Sequence, residues 1–169
     1  MDGPLTTAEV LALLKRQGLI DEMTARDARV REAAQRARLR KARARAPGRF
    51  ADTVGAIELL ASLELPRLGS GTLEAEQILA EVADDAGLPW RRLDPLELDI
   101  QAVTSALSKP YAQRHDCLVL GEVDGELEVA VIEPRARELL EAIRRLTGRP
   151  VRPVLATRAD LQRIIREFY

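Results

Sequence analysis

The sequence predicts an α+β protein: a helical N-terminal segment followed by a small α/β sandwich, with a three- or four-stranded mixed sheet covered by helices. Three observations carry this. The first 65 residues place apolar side chains at helical spacing between capping signals, and Asp124-Gly125 sits between two β-rich runs as a strong short hairpin signal. The last third then alternates helix, strand and helix patterns, which favours a mixed sheet.

Taken in order, Thr6-Thr7-Ala8-Glu9 resembles a capping box, and Val10, Leu11, Leu13 and Leu14 give a first helix stopped by Gly18. Thr24 or Asp21 caps a second helix over about residues 24 to 45, rich in Ala and Arg and ended by Pro47-Gly48. Its expected apolar positions, Ala28, Val30, Ala33, Ala34, Ala37 and Leu39, bury little area, so it reads as a half-solvated helix held by propensity. A third helix is expected over Ala51 to Leu63. Leu65-Pro66-Arg67-Leu68-Gly69-Ser70-Gly71 reads as a linker, dividing the chain into a 1–65 helical segment and a 66–169 α/β domain.

Thr72 is expected to cap a fourth helix, Leu73 to Ala86, and Asp94-Pro95 to turn the chain before a short helix over Asp99 to Leu107. Strands follow at Cys117 to Val123 and Leu127 to Ile132. A helix over Arg135 to Leu146 should bury Leu139, Ile143 and Leu146 against Val129 and Val131. Val151 to Ala156 is the third strand, and Thr157 caps the terminal helix with Leu161, Ile164 and Ile165. In this reading the helices cover one face of the sheet.

Composition narrows the function. With 169 residues, 46% hydrophobic and 31% charged, the chain buries a core without metal or disulfide staples. Five aromatic residues argue against an aromatic platform for single-stranded nucleic acid. One cysteine, Cys117, suits a reducing compartment, and no apolar run approaches the ~18 residues of a membrane span. The expectation is a soluble cytoplasmic protein.

Charge is distributed unevenly. The formal net charge is −1, yet Arg26 to Arg49 holds ten basic residues against two acidic ones, a local balance of +8. Arg36, Arg38, Arg40, Arg43 and Arg45 are therefore the candidate partner-binding residues, for an acidic or anionic surface.

Catalytic candidates are few. His115 and Cys117 would share a strand face if both lay in it, but no third residue orients the base. One His and one Cys fall short of a four-ligand zinc site. Gly69-Ser70-Gly71-Thr72 lacks the lysine of a phosphate-cradling loop, and nothing in the chain has the Gly-x-x-x-x-Gly-Lys-Ser/Thr order. The carboxylate pairs Asp84 and Asp85, or Glu97 and Asp99, suit helix ends and turns. No catalytic residue, cofactor or metal is expected.

From Leu73 to Tyr169 the chain resembles the N-terminal domain of the type II secretion system protein E family, the ATPases that also power type IV pilus assembly. The resemblance rests on ordered features: Ala86-Gly87-Leu88-Pro89, Leu93-Asp94-Pro95-Leu96, Tyr111-Ala112-Gln113-Arg114-His115, Gly125 to Val131 with Pro134 following, Leu146-Thr147-Gly148-Arg149-Pro150-Val151, and Ile164 to Tyr169. Leu5 to Leu65 is similar, more loosely, to a helical segment that some members carry ahead of that domain. The resemblance implies a non-enzymatic domain, excised or stand-alone, that docks a C-terminal ATPase motor onto the cytoplasmic portion of an inner-membrane platform protein. Some pilus-type members bind cyclic di-GMP here through a repeated Arg-Leu-Gly pattern. Aligning on Gly18 places Glu9-Val10-Leu11 where that triplet should stand, and Arg67-Leu68-Gly69 lacks the downstream spacing.

Overall fold

The computed structural model describes residues 3–45 and 53–169. The element order is α1 (Thr7–Arg16), α2 (Glu22–Arg45), α3 (Ala56–Ser62), α4 (Ala75–Ala86), α5 (Ile100–Ala106), α6 (Lys109–His115), β1 (Cys117–Val123), β2 (Glu126–Val131), α7 (Arg137–Thr147), β3 (Val151–Leu155) and α8 (Arg158–Phe168). The expected α+β class is what forms. Pro47-Gly48 and the first residues of the expected third helix lie outside the described residues.

Local chemistry sets the helix starts. The Thr6 hydroxyl accepts from the Glu9 amide at 3.2 Å and the Thr157 hydroxyl from the Asp160 amide at 3.2 Å, each satisfying an amide that has no partner within its helix. Asp21, not Thr24, caps α2, accepting from the Thr24 amide at 2.8 Å. At α4 the cap is Glu74 rather than Thr72: Glu74 and Gln77 exchange side-chain to backbone bonds reciprocally. Thr72 instead pairs with Pro66 across a tight turn, so the expected linker is a folded loop anchored by the buried Leu65 and Leu73.

The sheet has the order β1-β2-β3, antiparallel between β1 and β2 and parallel between β2 and β3. Asp124 and Gly125 both take positive φ, 52° and 80°, which matches the right-handed strand twist across a two-residue hairpin. One residue of β1, Leu120, is bulged out of register between Val119 and Gly121.

Helices cover both faces of the sheet, not one. Cys117, Val119, Leu127, Val129, Val131, Val151 and Leu155 join Ile143 of α7 and the buried side chains of α1, α3 and α4 in one apolar cluster. Leu118, Leu120, Ala130 and Val154 face α5, α6 and α8 in a second. This explains the unbroken burial of Cys117 to Leu120: a strand enclosed on both sides loses the alternation of a half-solvated one. On α7, Ile143 is fully buried and Leu139 partly so, but Leu146 is 61% exposed and leaves the expected stripe.

Candidate functional site

Helix α2 packs only partly along its apolar pattern. Ala25 and Ala28 are buried and Leu39 partly so, whereas Val30, Ala33, Ala34 and Ala37 face solvent. Below Ala28 the inward face is polar. Glu32 accepts from the Thr7 hydroxyl of α1 at 2.6 Å and from Arg36 at 2.9 Å, and Gln35 donates to the Ser62 hydroxyl of α3 at 3.1 Å. The Thr7 bond, with Arg36 assisting, holds the Glu32 carboxyl below the usual glutamate range.

The five candidate arginines therefore separate into two groups. Arg36 donates to the Val54 carbonyl at 3.0 Å, and Arg43 reaches the Thr53 carbonyl and the Glu58 carboxylate, so both serve the fold. Arg38, Arg40 and Arg45 are exposed, as is Lys41, and none of the four forms an ion pair among the described residues. By contrast, Arg26 and Arg31 nearer the helix start pair with Glu22 and Asp27 one turn away.

A buried charge cluster joins the helical segment to the sheet, and sequence reasoning missed it. Arg158, at the first position of α8, donates through Nε to Asp116 Oδ2 at 3.0 Å and through Nη1 to Glu58 Oε1 at 3.1 Å. Glu58 also receives Arg43, so one carboxylate on α3 links α2 to α8. Asp116 is 2% exposed and holds the left-handed conformation (φ 46°) that ends α6 and starts β1. Burial pushes its carboxyl above the usual aspartate range, and the Arg158 guanidinium pulls against that shift.

Next to this cluster, Leu5, Ile57, Leu79, Ile132 and Arg158 line a cleft of about 130 Å³. A second, open groove of about 500 Å³ runs between α1, α4 and Arg135, floored by Val10, Leu13 and Val82. Its rim charges are already matched, Arg16 to Asp85 at 3.2 Å and Arg135 to Glu9 at 2.5 Å. The Arg135 bond holds the Glu9 carboxyl below its ordinary value. Arg135 also donates to the Gly3 carbonyl, and Glu133 accepts from the Leu5 amide at 3.0 Å, so the start of the chain is clasped onto the loop after β2.

Residues 86–169 match the family model of the MshEN domain. The C-terminal half of the chain is an MshEN domain. The match bears out the resemblance to the N-terminal domain of the secretion and pilus ATPase family. Solved structures share the fold along almost the whole chain: MshE with cdg at 22% identity and TM-score 0.60, covering 95% of this chain and 98% of that one, and the N-terminal domain of XpsE at 21% identity and TM-score 0.57, covering 99% of each. No curated protein matches.

Within the MshEN domain His115 and Cys117 do not share a strand face. His115 ends α6, exposed and 4.4 Å from the Tyr111 ring, while Cys117 is buried in β1. Burial, helped by the neighbouring Asp116, pushes the Cys117 thiol up to about 12. Asp99 caps α5 by accepting from the Ala102 amide, and Asp85 serves its ion pair with Arg16. Among the described residues no group of three or more His, Cys, Asp or Glu side chains is placed to hold a metal ion. No described helix is long and apolar enough to cross a membrane. Arg67-Leu68-Gly69 lies in the turn between Leu65 and Leu73, with the Leu68 amide donating to the Leu19 carbonyl at 2.9 Å. Of the buried charge cluster, Asp116 and Arg158 belong to the MshEN domain, and Arg43 and Glu58 precede it.

Proposed function

We propose that the chain acts as a non-catalytic docking domain of a type II secretion or type IV pilus ATPase, coupling a motor domain to the cytoplasmic portion of an inner-membrane platform protein. The observation that carries this reading is the MshEN match together with a fold shared over 99% of the XpsE N-terminal domain. The side chains agree with a mechanical role: Arg43, Glu58, Asp116 and Arg158 are engaged with one another and tie α2, α3 and α8 together. The helical segment and the MshEN domain share one apolar cluster and are pinned by the Arg158 and Glu58 pair, so force applied to one is passed to the other. Titration of the cognate platform protein's cytoplasmic portion tests it. Saturable binding below about 100 μM is expected, and its absence removes the reading.

A second reading, a cyclic di-GMP sensor, is favoured by the fold shared with MshE, which is described with cdg. Against it stand Glu9-Val10-Leu11 at the position of the Arg-Leu-Gly triplet and the ion pairs already formed along the α1 groove. Calorimetry with cyclic di-GMP separates the two: heat and a raised melting temperature support the sensor, because a ligand of the native state stabilises it by mass action.

A further inference from the structure

Helix α2 carries a second periodic face, pointing to solvent. Residues 23, 27, 30, 34, 37, 41 and 44 recur at alternating spacings of four and three, the pattern of a coiled-coil seam, and all seven are exposed. Met23 and Val30, two turns apart on this face, are 79% and 82% exposed. Two of the seven are charged, Asp27, paired with Arg31, and Lys41; toward the C-terminal end the apolar positions narrow to Ala34, Ala37 and Ala44, which let another backbone approach closely. Arg38 and Arg45, seven residues apart, flank the seam on one side and Arg40 on the other, the positions that choose a partner helix by charge.

We infer that this face receives an acidic amphipathic helix of a protein partner, with carboxylates flanking its apolar stripe. The inference rests on the docking reading and names the chemistry of the docked element. Three arguments select this occupant. From Ala33 to Arg45 the helix has six basic residues and no acidic one, and the two that face inward, Arg36 and Arg43, are engaged; the charge left outside is uncompensated among the described residues. A second copy of this chain would set arginine against arginine across the seam, which disfavours self-pairing. A lipid surface calls for bulky apolar side chains along the buried face, and the basic half of this one offers alanine.

The test uses the full chain and a four-heptad peptide with Leu at the seam positions and Glu at both flanks, read by fluorescence anisotropy. Wild type should bind the peptide, at least about tenfold more weakly in high salt. The variant Arg38→Glu/Arg40→Glu/Arg45→Glu should lose binding by at least about tenfold and take up the matching Lys-flanked peptide instead. An unchanged melting curve shows that the variant is folded, as exposed, unpaired positions require. Equal peptide binding by both proteins overturns the inference, as does no binding by wild type. Salt-sensitive pelleting with vesicles of about 30% anionic lipid, without peptide binding, assigns the face to a membrane and also overturns it. Platform-protein titration separates the two levels. If the triple variant binds the platform portion like wild type, docking stands and this face falls; if wild type binds the peptide but not the platform portion, the face stands and the docking assignment falls.

Discussion

Removing the guanidinium of Arg158 by Arg158→Met keeps most of the side-chain stem and takes one cationic partner from each of two carboxylates. Asp116, at 2% exposure with Oδ1 making no hydrogen bond, then loses its Arg158 partner, while Glu58 retains Arg43. Breaking a buried pair from one side costs about 3–5 kcal/mol, because a charge is left in low dielectric without compensation. For a chain of this size each kcal/mol moves the melting temperature by about 2–4 °C, so a fall of about 6–20 °C is expected. Thermal and urea unfolding at neutral pH measure it. The sign of the pH dependence follows from Asp116. Its folded carboxyl sits above the ordinary aspartate value, so its contribution favours the fold at low pH and is lost as pH rises through the folded value. Without Arg158 that value rises further, so the gap between parent and variant should narrow as pH falls below the aspartate range. Adding Asp116→Asn, which suits the left-handed backbone, should recover most of the loss. A loss below about 1 kcal/mol for the single variant, or no recovery in the double, would refute the claim that the cluster is dry and charged.

Ile143→Asp should unfold the chain by placing an unpaired charge at a fully buried site, whereas Leu146→Asp, at a residue 61% exposed, should shift stability by less than about 0.5 kcal/mol; chemical denaturation compares them. Cys117 should resist thiol alkylation in the native state at pH 8 and react once the protein is unfolded, since its thiol is buried and titrates near 12. Leu14→Ala, at a fully buried site on α1, should cost about 2–5 kcal/mol and lower the helical and sheet signals together, because the apolar cluster is continuous from Val10 to Leu155. Two separated transitions in circular dichroism and Trp90 fluorescence would contradict that continuity.

What could be read from the sequence was local. Thr6 and Thr157 as caps, Asp124-Gly125 as a hairpin, and Gly148 as the stop of α7 each follow from the chemistry of one short segment. Misplaced elements failed for non-local reasons. The alanines and valine of α2 suggest its inner face, but glutamate, glutamine and arginine side chains make inner contacts because α1, α3 and the residues just before α3 supply hydroxyls and a carbonyl there. α6 is only seven residues long with Pro110 near its start, too short for periodicity to register. The site suffered most: Arg158 and Asp116 are 42 residues apart, and a charged residue in a sequence reads as solvated until the fold shows what lies opposite it. That the five arginines share one helix is legible from the sequence, while their division into inward and outward sets requires the fold.

The bulge in β1 bears on how this molecule avoids aggregating. A three-stranded sheet has two outer rows of unpaired amides and carbonyls, each a template on which another chain can lay a strand. On the β3 side that row is occupied near its end: Leu155 exchanges backbone bonds with Pro89 and Arg91, at 2.9 and 3.0 Å. On the β1 side the slip at Leu120 breaks the repeat, so an incoming strand meets two residues where it expects one and loses register after a few bonds. Gly121, at φ 151°, allows the backbone to make that step. Gly121→Val would leave the extra residue in place and strain the step that accommodates it, so the variant is expected to lose stability and, where β1 detaches, to form fibrils under conditions where the parent stays dispersed.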